Sequence, residues 1–219
     1  LRNSSAASDV YKRQIYITHA HIGHYTGLMY FGREALGSKN LLVKALPKMS
    51  NFLKTNGPWN QLVNLNNIQI QNTDFDESYL ELNNIHVTPI KVPHRDEYSE
   101  TAGYIITGKN KKALFIPDID KWEKWDKKLI DLAKDFDYLL LDATFYNSKE
   151  ISRDISEIPH PLVSETINLL DSLSKENKRK VYFIHMNHTN PMLDPNSDLS
   201  KSIIMQGFNI ARLGQKLYL

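Results

Sequence analysis

The sequence predicts a mixed α/β (α+β) protein in which sheets are sandwiched between helices. Short apolar strands alternate with amphipathic helices along most of the chain, which is typical of such a layered arrangement. The run FDYLLLDATF (136–145) reads as a continuous apolar strand, as expected when both faces of a strand are covered. A chain of 219 residues, 41% hydrophobic and 24% charged, is long enough to bury a sizeable core within one domain.

The first 14 residues, LRNSSAASDVYKRQ, stand apart from this pattern. They lack a methionine, are mostly polar and show neither the helical nor the strand period. They resemble the spurious leaders that recur at the ends of metagenome-derived reading frames. We therefore expect residues 1–14 to be a disordered or spurious leader and residues 15–219 to form the folded domain. A genuine flexible arm is the alternative.

The first half of the domain is predicted to alternate strands and helices. Runs rich in β-branched and apolar residues indicate strands, and apolar residues at helical spacing, with proline before or glycine after them, indicate helices. The predicted elements are the strand QIYIT (14–18), a helix over 26–37, the strand NLLVKAL (40–46), a helix from Pro47 to Leu53, a turn and short helix in TNGPWNQLV (55–63) and the strand NIQIQN (67–72).

The second half begins with a β-rich stretch. Four strands, SYLEL, HVTPIKVPH, AGYIITG and KKALFIPD, are separated by turn-forming residues, of which Gly-Lys-Asn at 108–110 is a good hairpin turn. A helix over 121–135 is predicted from an apolar stripe that includes Trp122 and Trp125. The strand FDYLLLDATF, a helix in PLVSETINLLDSLSKE, the strand KVYFIH and a helix in PNSDLSKSIIMQ then precede two short closing strands.

The composition excludes several kinds of site and partner. There is no cysteine, so any metal site must rest on His, Asp or Glu. A net charge of +2 favours neither nucleic acid nor an anionic membrane, and we interpret the basic run KENKRK (175–180) as a solvated turn. No apolar run approaches the roughly 20 residues that span a bilayer. These observations favour a cytoplasmic protein that acts on a small-molecule substrate, without a membrane or nucleic-acid partner.

The stretch ITHAHIGHYTG (17–27) holds three of the eight histidines. His19 and His21 are two residues apart in an extended segment, so their imidazoles point to the same side. His24 follows where the chain turns into a helix, so its ring approaches from another direction. Such a group suits two neighbouring cations better than one, and imidazole with carboxylate is a ligand set for zinc, iron or manganese. His86 lies within a predicted strand and is interpreted as a packed or surface histidine.

Other residues of the ligand type stand at the ends of predicted strands. His94 ends VTPIKVPH, and Asp118 ends ALFIPD. Asp142 ends YLLLD, and His185 ends VYFIH. Residues at strand ends converge on one rim of a sheet, which is where loops build functional sites. We therefore expect these four side chains to contribute to one site.

The order of these residues resembles the metallo-β-lactamase superfamily. H-x-H-x-G-H follows a buried strand, and a histidine, an aspartate and a histidine each close a later strand. The strings VPHRDEYSETAGYII, FIPDIDKW, LLLDATF, IPHP and FIHMNHTNP look closer still to the branch of coenzyme PQQ (pyrroloquinoline quinone) synthesis protein B. The resemblance covers residues 15–219. It implies a four-layer αββα sandwich, truncated at the N-terminus and lacking its first strands.

The resemblance also implies a metal centre. The first metal would be held by His19, His21 and His94, and the second by His24, Asp118 and His185, with Asp118 bridging the two. The cation would lower the pKa of water from about 15.7 to near 7 and polarise the group under attack.

Three further residues receive roles from the resemblance. His160 or His188 would be a proton donor or an oxyanion contact. An alternative role for His188 is to orient His185 or its loop. Asp142 would orient a ligand histidine rather than bind metal.

One position departs from the superfamily pattern. Gly23 stands where the family has an aspartate that ligates the second metal and orients the attacking water. Asp96 or Asp120 would compensate as a ligand, Gly23 would relieve a tight turn, or this branch would use a single metal such as iron. We expect one or two divalent metals per chain, with zinc first and iron or manganese as alternatives.

The leading functional hypothesis is a metal-dependent hydrolase, similar to PQQ synthesis protein B, that activates a metal-bound water to cleave an ester, amide or phosphodiester. The alternatives are a single-metal (iron) oxidative step in PQQ cofactor biosynthesis, a phosphodiesterase or RNA-processing hydrolase, and a non-catalytic binding or carrier protein. Metal content separates the first two.

Overall fold

The structure, a computed structural model, describes residues 14–150 and 157–219. The chain divides into two compact units. Unit 1 contains the described residues up to 77 together with 96–102, and unit 2 contains 78–95 and the described residues from 103 onward. The predicted leader, residues 1–14, lies outside the described residues except for Gln14, which begins the first strand.

Unit 1 is built on a three-stranded parallel sheet with the strand order β1-β2-β3. The strands are β1 (Gln14–Tyr16), β2 (Leu41–Ala45) and β3 (Ile68–Asn72). Ile15 pairs with Val43, which pairs with Ile70, so apolar residues line up across the sheet. Buried residues of this sheet, such as Val43, belong to a hydrophobic core within unit 1. Each fully buried aliphatic side chain contributes about 1.5–3 kcal/mol to the free energy of unfolding.

The helices of unit 1 are short. They are α1 (Ile22–Tyr25), a 3₁₀ helix (Thr26–Phe31), α2 (Pro47–Thr55) and α3 (Trp59–Asn64). Helix α2 begins at the predicted proline, and the Lys48 amide donates to the Glu100 carboxylate at its first turn. The predicted helix over 26–37 is wrong beyond Phe31, because Gly32 is extended (ψ 168°) and Gly37 has a positive φ of 54°.

Unit 2 contains a seven-stranded sheet with the order β10-β9-β8-β7-β6-β5-β4. Its strands are β4 (Tyr79–Leu80), β5 (His86–Lys91), β6 (Ala102–Thr107), β7 (Lys112–Ile116), β8 (Tyr138–Asp142), β9 (Val181–Ile184) and β10 (Asn209–Ile210). Strands β7 to β10 run parallel, whereas β6 and β7 form the predicted antiparallel hairpin. The parallel strands end at one edge, and this edge positions Asp142 and His185.

The helices of unit 2 pack on a second core. They are α4 (Leu129–Asp135), α5 (Val163–Leu169), α6 (Lys175–Lys178) and α7 (Asp198–Met205). The predicted helix over 121–135 is interrupted, because Trp125 is extended (φ −88°, ψ 138°) after a short 3₁₀ turn. Both tryptophans are buried, as expected for packing residues. Among the described residues, no helix has the length and apolar character needed to cross a membrane.

Candidate metal centre

The histidine turn of unit 1 follows directly from strand β1. The chain stays extended through His21, whose φ and ψ are −86° and 138°, and then enters helix α1. The His24 amide donates to the His21 carbonyl at 2.9 Å, which fixes the start of this turn. The extended segment places the rings of His19 and His21 on one side, as predicted, with centroids 4.4 Å apart.

The three imidazoles of this turn lie close together. Nε2 of His19 is 2.8 Å from Nδ1 of His21. The ring of His24 lies 4.2 Å from that of His19, centroid to centroid. The Thr18 hydroxyl lies 3.0 Å from Nδ1 of His19 and 3.4 Å from Nδ1 of His24. Thr18 therefore occupies the Nδ1 side of His19 and leaves Nε2 directed toward His21.

Residues 96–102 belong to the same unit and brace this turn. The Ala20 amide donates to the Ser99 hydroxyl at 2.8 Å, and the Ala102 amide donates to the Thr18 carbonyl at 3.0 Å. Glu97 lies 2.9 Å from Nε2 of His21. No sequence pattern indicates Glu97 or Ser99, because these contacts join positions more than 70 residues apart.

In unit 2, a buried carboxylate lies between two imidazoles. Oδ1 of Asp118 is 3.4 Å from Nε2 of His94 and 3.1 Å from Nδ1 of His160. The side chain of His94 is fully buried, and Asp118 is 3% exposed. Asp118 follows β7, and its position after Pro117 is the strand-end placement that the sequence predicts.

Asp142 is the second buried carboxylate of unit 2, and all its acceptor positions are in use. Oδ1 accepts from the amide and the hydroxyl of Thr144, at 2.9 and 2.7 Å. Oδ2 accepts from the Ile119 amide at 3.2 Å and from Nδ1 of His160 at 2.8 Å. A carboxylate offers about four acceptor positions. Asp142 therefore holds Thr144, the Ile119 amide and His160 in fixed positions around it.

His160 is held between the two carboxylates. Burial alone would lower the pKa of His160, but hydrogen bonds and charge interactions with Asp118 and Asp142 more than offset burial and raise the pKa from 6.5 to about 10. One ligand-type atom from each of these three residues lies within 4.8 Å of the others. With Nδ1 directed at the carboxylates, Nε2 is the ring nitrogen left for other contacts.

Thr144 connects Asp142 to His185. The Thr144 hydroxyl donates to Asp142 and lies 2.9 Å from Nδ1 of His185. If this oxygen accepts from Nδ1–H, the lone pair of His185 is placed on Nε2, the arrangement that an imidazole ligand needs. His185 has a φ of 61°, a left-handed conformation that is uncommon for a residue with a side chain. Thr144 was not among the predicted site residues, although its position two residues after a strand-end aspartate is a usable signal.

A cavity of about 510 Å³ adjoins this network in unit 2. Its lining includes Arg95, Phe145, His160, Asn187 and His188. Nδ1 of His188 lies 3.1 Å from the Asn187 side-chain oxygen, and His188 is exposed. His188 thus lines the cavity rather than the buried network, which is compatible with either of its predicted roles.

The structure therefore gathers the predicted residues into two groups, one in each unit. The unit 1 group consists of His19, His21 and His24, and the unit 2 group consists of His94, Asp118, Asp142, His160 and His185. Metal binding remains a prediction for six of these residues, namely His19, His21, His24, His94, Asp118 and His185. His86, in contrast, is exposed at the start of β5, as the sequence suggested.

The donor atoms of both groups fit a divalent cation of intermediate hardness. Imidazole nitrogen and carboxylate oxygen without thiolate suit zinc, iron or manganese. Nitrogen ligands that each lie about 2.0–2.1 Å from a tetrahedral zinc ion are separated by about 3.3 Å. The facing nitrogens of His19 and His21, at 2.8 Å, lie about half an ångström closer together than that.

Comparison with known proteins identifies a family and several relatives. Residues 12–186 match the family described as "Beta-lactamase superfamily domain". The chain is 25% identical over 179 residues to the coenzyme PQQ synthesis protein B of Pseudomonas syringae pv. tomato, covering 74% of this chain and 57% of that protein. It is 27% identical over 140 residues to the protein of that name from Methylococcus capsulatus, covering 58% of this chain and 44% of the relative.

The fold is also similar to solved structures. Zn²⁺-bound PqqB from Methylobacterium extorquens superposes with a TM-score of 0.77 at 19% identity, covering 94% of this chain and 73% of that structure. The matched regions span no more than about three fifths of the curated relatives.

Proposed function

Because the chain belongs to the beta-lactamase superfamily domain family and has its mixed α/β fold, we propose that it is a metal-dependent hydrolase similar to PQQ synthesis protein B. The observation that carries this proposal is the His19–His21 pair, whose ring nitrogens face each other at 2.8 Å. Facing ring nitrogens this close together can both reach one cation, as two ligands of the same metal must.

The proposed ligands are those that the family pattern indicates. His19, His21 and His94 would hold the first metal, and His24, Asp118 and His185 would hold the second. A divalent cation there would supply Lewis acidity, which acidifies water and polarises the group under attack. The burial of Asp118 and His94 supports this assignment, since buried charged groups of this kind are retained where they are paired or coordinate metal.

Asp142 and His160 of unit 2 would hold and transfer protons. Asp142 accepts from Nδ1 of His160 and so holds the proton on that nitrogen. With a proton on both ring nitrogens, His160 would donate from Nε2 to a leaving group. His188 and Arg95 line the neighbouring cavity and would contact a small-molecule substrate, an ester, amide or phosphodiester.

Metal analysis of matched variants tests the proposal. We expect the wild-type chain to retain one to two zinc equivalents after gel filtration and to hydrolyse activated esters or phosphodiesters. His19→Ala should lose bound zinc and activity, because it removes a ligand of 1% exposure. His86→Ala removes an exposed strand histidine and is the control. Equal zinc content in the two variants would contradict the proposal.

A single-metal oxidative step, as the relatives' role in PQQ synthesis permits, is the second candidate. Gly23 favours it, because it supplies no carboxylate for a second cation. One iron per chain with oxygen-dependent turnover would support this candidate over the hydrolase. Bound metal without turnover on either class of substrate would instead indicate a binding or carrier protein.

A further inference from the structure

Glu97 contacts a proposed metal ligand from a loop that no metal-binding motif includes. We propose that Glu97 is a positioning residue, which keeps the proton of His21 on Nε2 and so directs the Nδ1 lone pair toward the metal. This inference rests on the proposed function, since it assigns to His21 the role of a ligand. It concerns unit 1 alone.

The hydrogen-bond geometry determines which nitrogen carries the proton. An ionised carboxylate only accepts, so the 2.9 Å contact between Oε2 of Glu97 and Nε2 of His21 requires a proton on Nε2. In a neutral ring the lone pair is then on Nδ1. Nδ1 is the nitrogen that faces Nε2 of His19 at 2.8 Å. The two ring nitrogens that face each other are therefore the ones that can share a cation.

The loop that carries Glu97 is itself held in place. The Thr101 hydroxyl donates to Asp96 at 2.8 Å, and the Glu100 carboxylate accepts from the Lys48 amide at 3.1 Å. Ser99 accepts from the Ala20 amide, one residue before His21. Glu97 is therefore placed by its neighbours before any metal binds, which is what a residue that orients a ligand requires.

The solvent exposure of Glu97 indicates that it contributes little to folding, so its role in orienting His21 can be tested separately. The Glu97 side chain is 47% exposed, and exposed ion pairs contribute little to stability. A carboxylate that orients a histidine ligand, in contrast, commonly changes metal affinity by about 10- to 100-fold. Loss of Glu97 should therefore weaken metal binding much more than it weakens folding.

The test compares zinc affinity and ring tautomer in four full-length variants. Zinc dissociation constants are measured by competition with a chromophoric chelator, and the His21 tautomer is read from long-range ¹H–¹⁵N spectra of the zinc-free protein. Glu97→Ala should weaken zinc binding by about 10- to 100-fold and remove the preference for Nε2–H. Glu97→Gln should have a smaller effect, because the amide oxygen still accepts. Glu100→Gln removes the same charge three residues away but keeps an oxygen that accepts from the Lys48 amide, so it should match the wild type. His21→Ala sets the reference for complete loss.

The outcomes separate this inference from the proposed function. Zinc binding that depends on His21 but not on Glu97, or an unchanged tautomer in Glu97→Ala, overturns the role of Glu97 alone. A wild-type protein that binds no zinc overturns the proposed function and this inference together. Equal losses of affinity in Glu97→Ala and Glu100→Gln would show a general effect of charge and would also overturn the assignment.

Discussion

Replacing Thr144 by valine tests whether the buried network of unit 2 orients a ligand or only stabilises the fold. The Thr144 hydroxyl donates to Asp142 at 2.7 Å and lies 2.9 Å from Nδ1 of His185. Valine keeps the shape of the side chain and removes only this hydroxyl. The Thr144 amide still donates to Asp142, so the carboxylate keeps its remaining partners.

The expected magnitudes follow from these contacts. A hydrogen bond to a charged group contributes about 1.5–3 kcal/mol, so the free energy of unfolding should fall by about that amount. His185 also loses its 2.9 Å contact with the Thr144 hydroxyl at Nδ1. If His185 binds metal through Nε2, zinc affinity should fall by about 10- to 100-fold.

Thr166→Val is the matched control. Thr166 is also buried, and its hydroxyl accepts from Nε1 of Trp122 at 2.9 Å and donates to the Leu162 carbonyl. Its loss leaves a buried donor unsatisfied and should cost about 1–3 kcal/mol without a change in zinc affinity. Urea unfolding gives the first quantity, and chelator competition gives the second. If both variants bind zinc as tightly as the wild type, the reasoning about His185 is refuted.

Two further predictions concern metal stoichiometry and pH. Gly23→Asp should fold normally, because a Cβ at that position meets no described atom within 4 Å. It should tighten binding of the second zinc equivalent by about tenfold or more, which corresponds to about 1.4 kcal/mol. Unchanged zinc titration curves would argue against a second site there. In protein stripped of metal, the raised pKa of His160 should stabilise the fold fully below pH 6.5, and this stability should be lost as the pH rises toward about 10, by up to about 1.4 kcal/mol per pH unit. His160→Asn should reduce that slope in urea unfolding measured across this range, and an unaltered slope would count against the assigned pKa.

The fold class was predictable because the strands carry their signal locally. The run that became β8 is apolar up to the aspartate that ends it, and it lies between two parallel neighbours in a sheet covered by a continuous core. The predicted α/β metallo-β-lactamase fold is thereby confirmed by the family match and by the similarity to PqqB. Strand ends were equally readable, so Asp118 and Asp142 stand where the sequence placed them.

Elements that depend on distant contacts were not predictable. The stripe containing Trp122 and Trp125 satisfies helical periodicity, yet their indole nitrogens donate to Thr166 and to the Lys91 carbonyl, at 2.9 and 3.0 Å. Those bonds join positions more than 30 residues apart and accompany a break in the helix at Trp125. Gly23 offers a second lesson: a tight turn does not explain it, since it lies within helix α1 without a positive φ.

The same limit applies to the site. Periodicity and strand ends identified histidines and aspartates, which carry recognisable chemistry. The residues that orient them, Glu97 and Thr144, are common polar types whose roles depend on where a distant loop or a neighbouring ring lies. The assignment of His19, His21, His24 and their counterparts in unit 2 to particular cations stays a prediction, which the variants above can test.

The left-handed backbone at His185 implies that thermal stability and activity place opposite requirements on this position. Most residues other than glycine are destabilised by about 1–3 kcal/mol in this conformation, whereas glycine and asparagine adopt it more easily. A library selected only for heat resistance should therefore accumulate glycine or asparagine at position 185. Such variants would have a higher melting temperature but, if His185 is a ligand, would lose metal binding and activity. Selection for thermal stability in this protein therefore has to be combined with selection for bound metal.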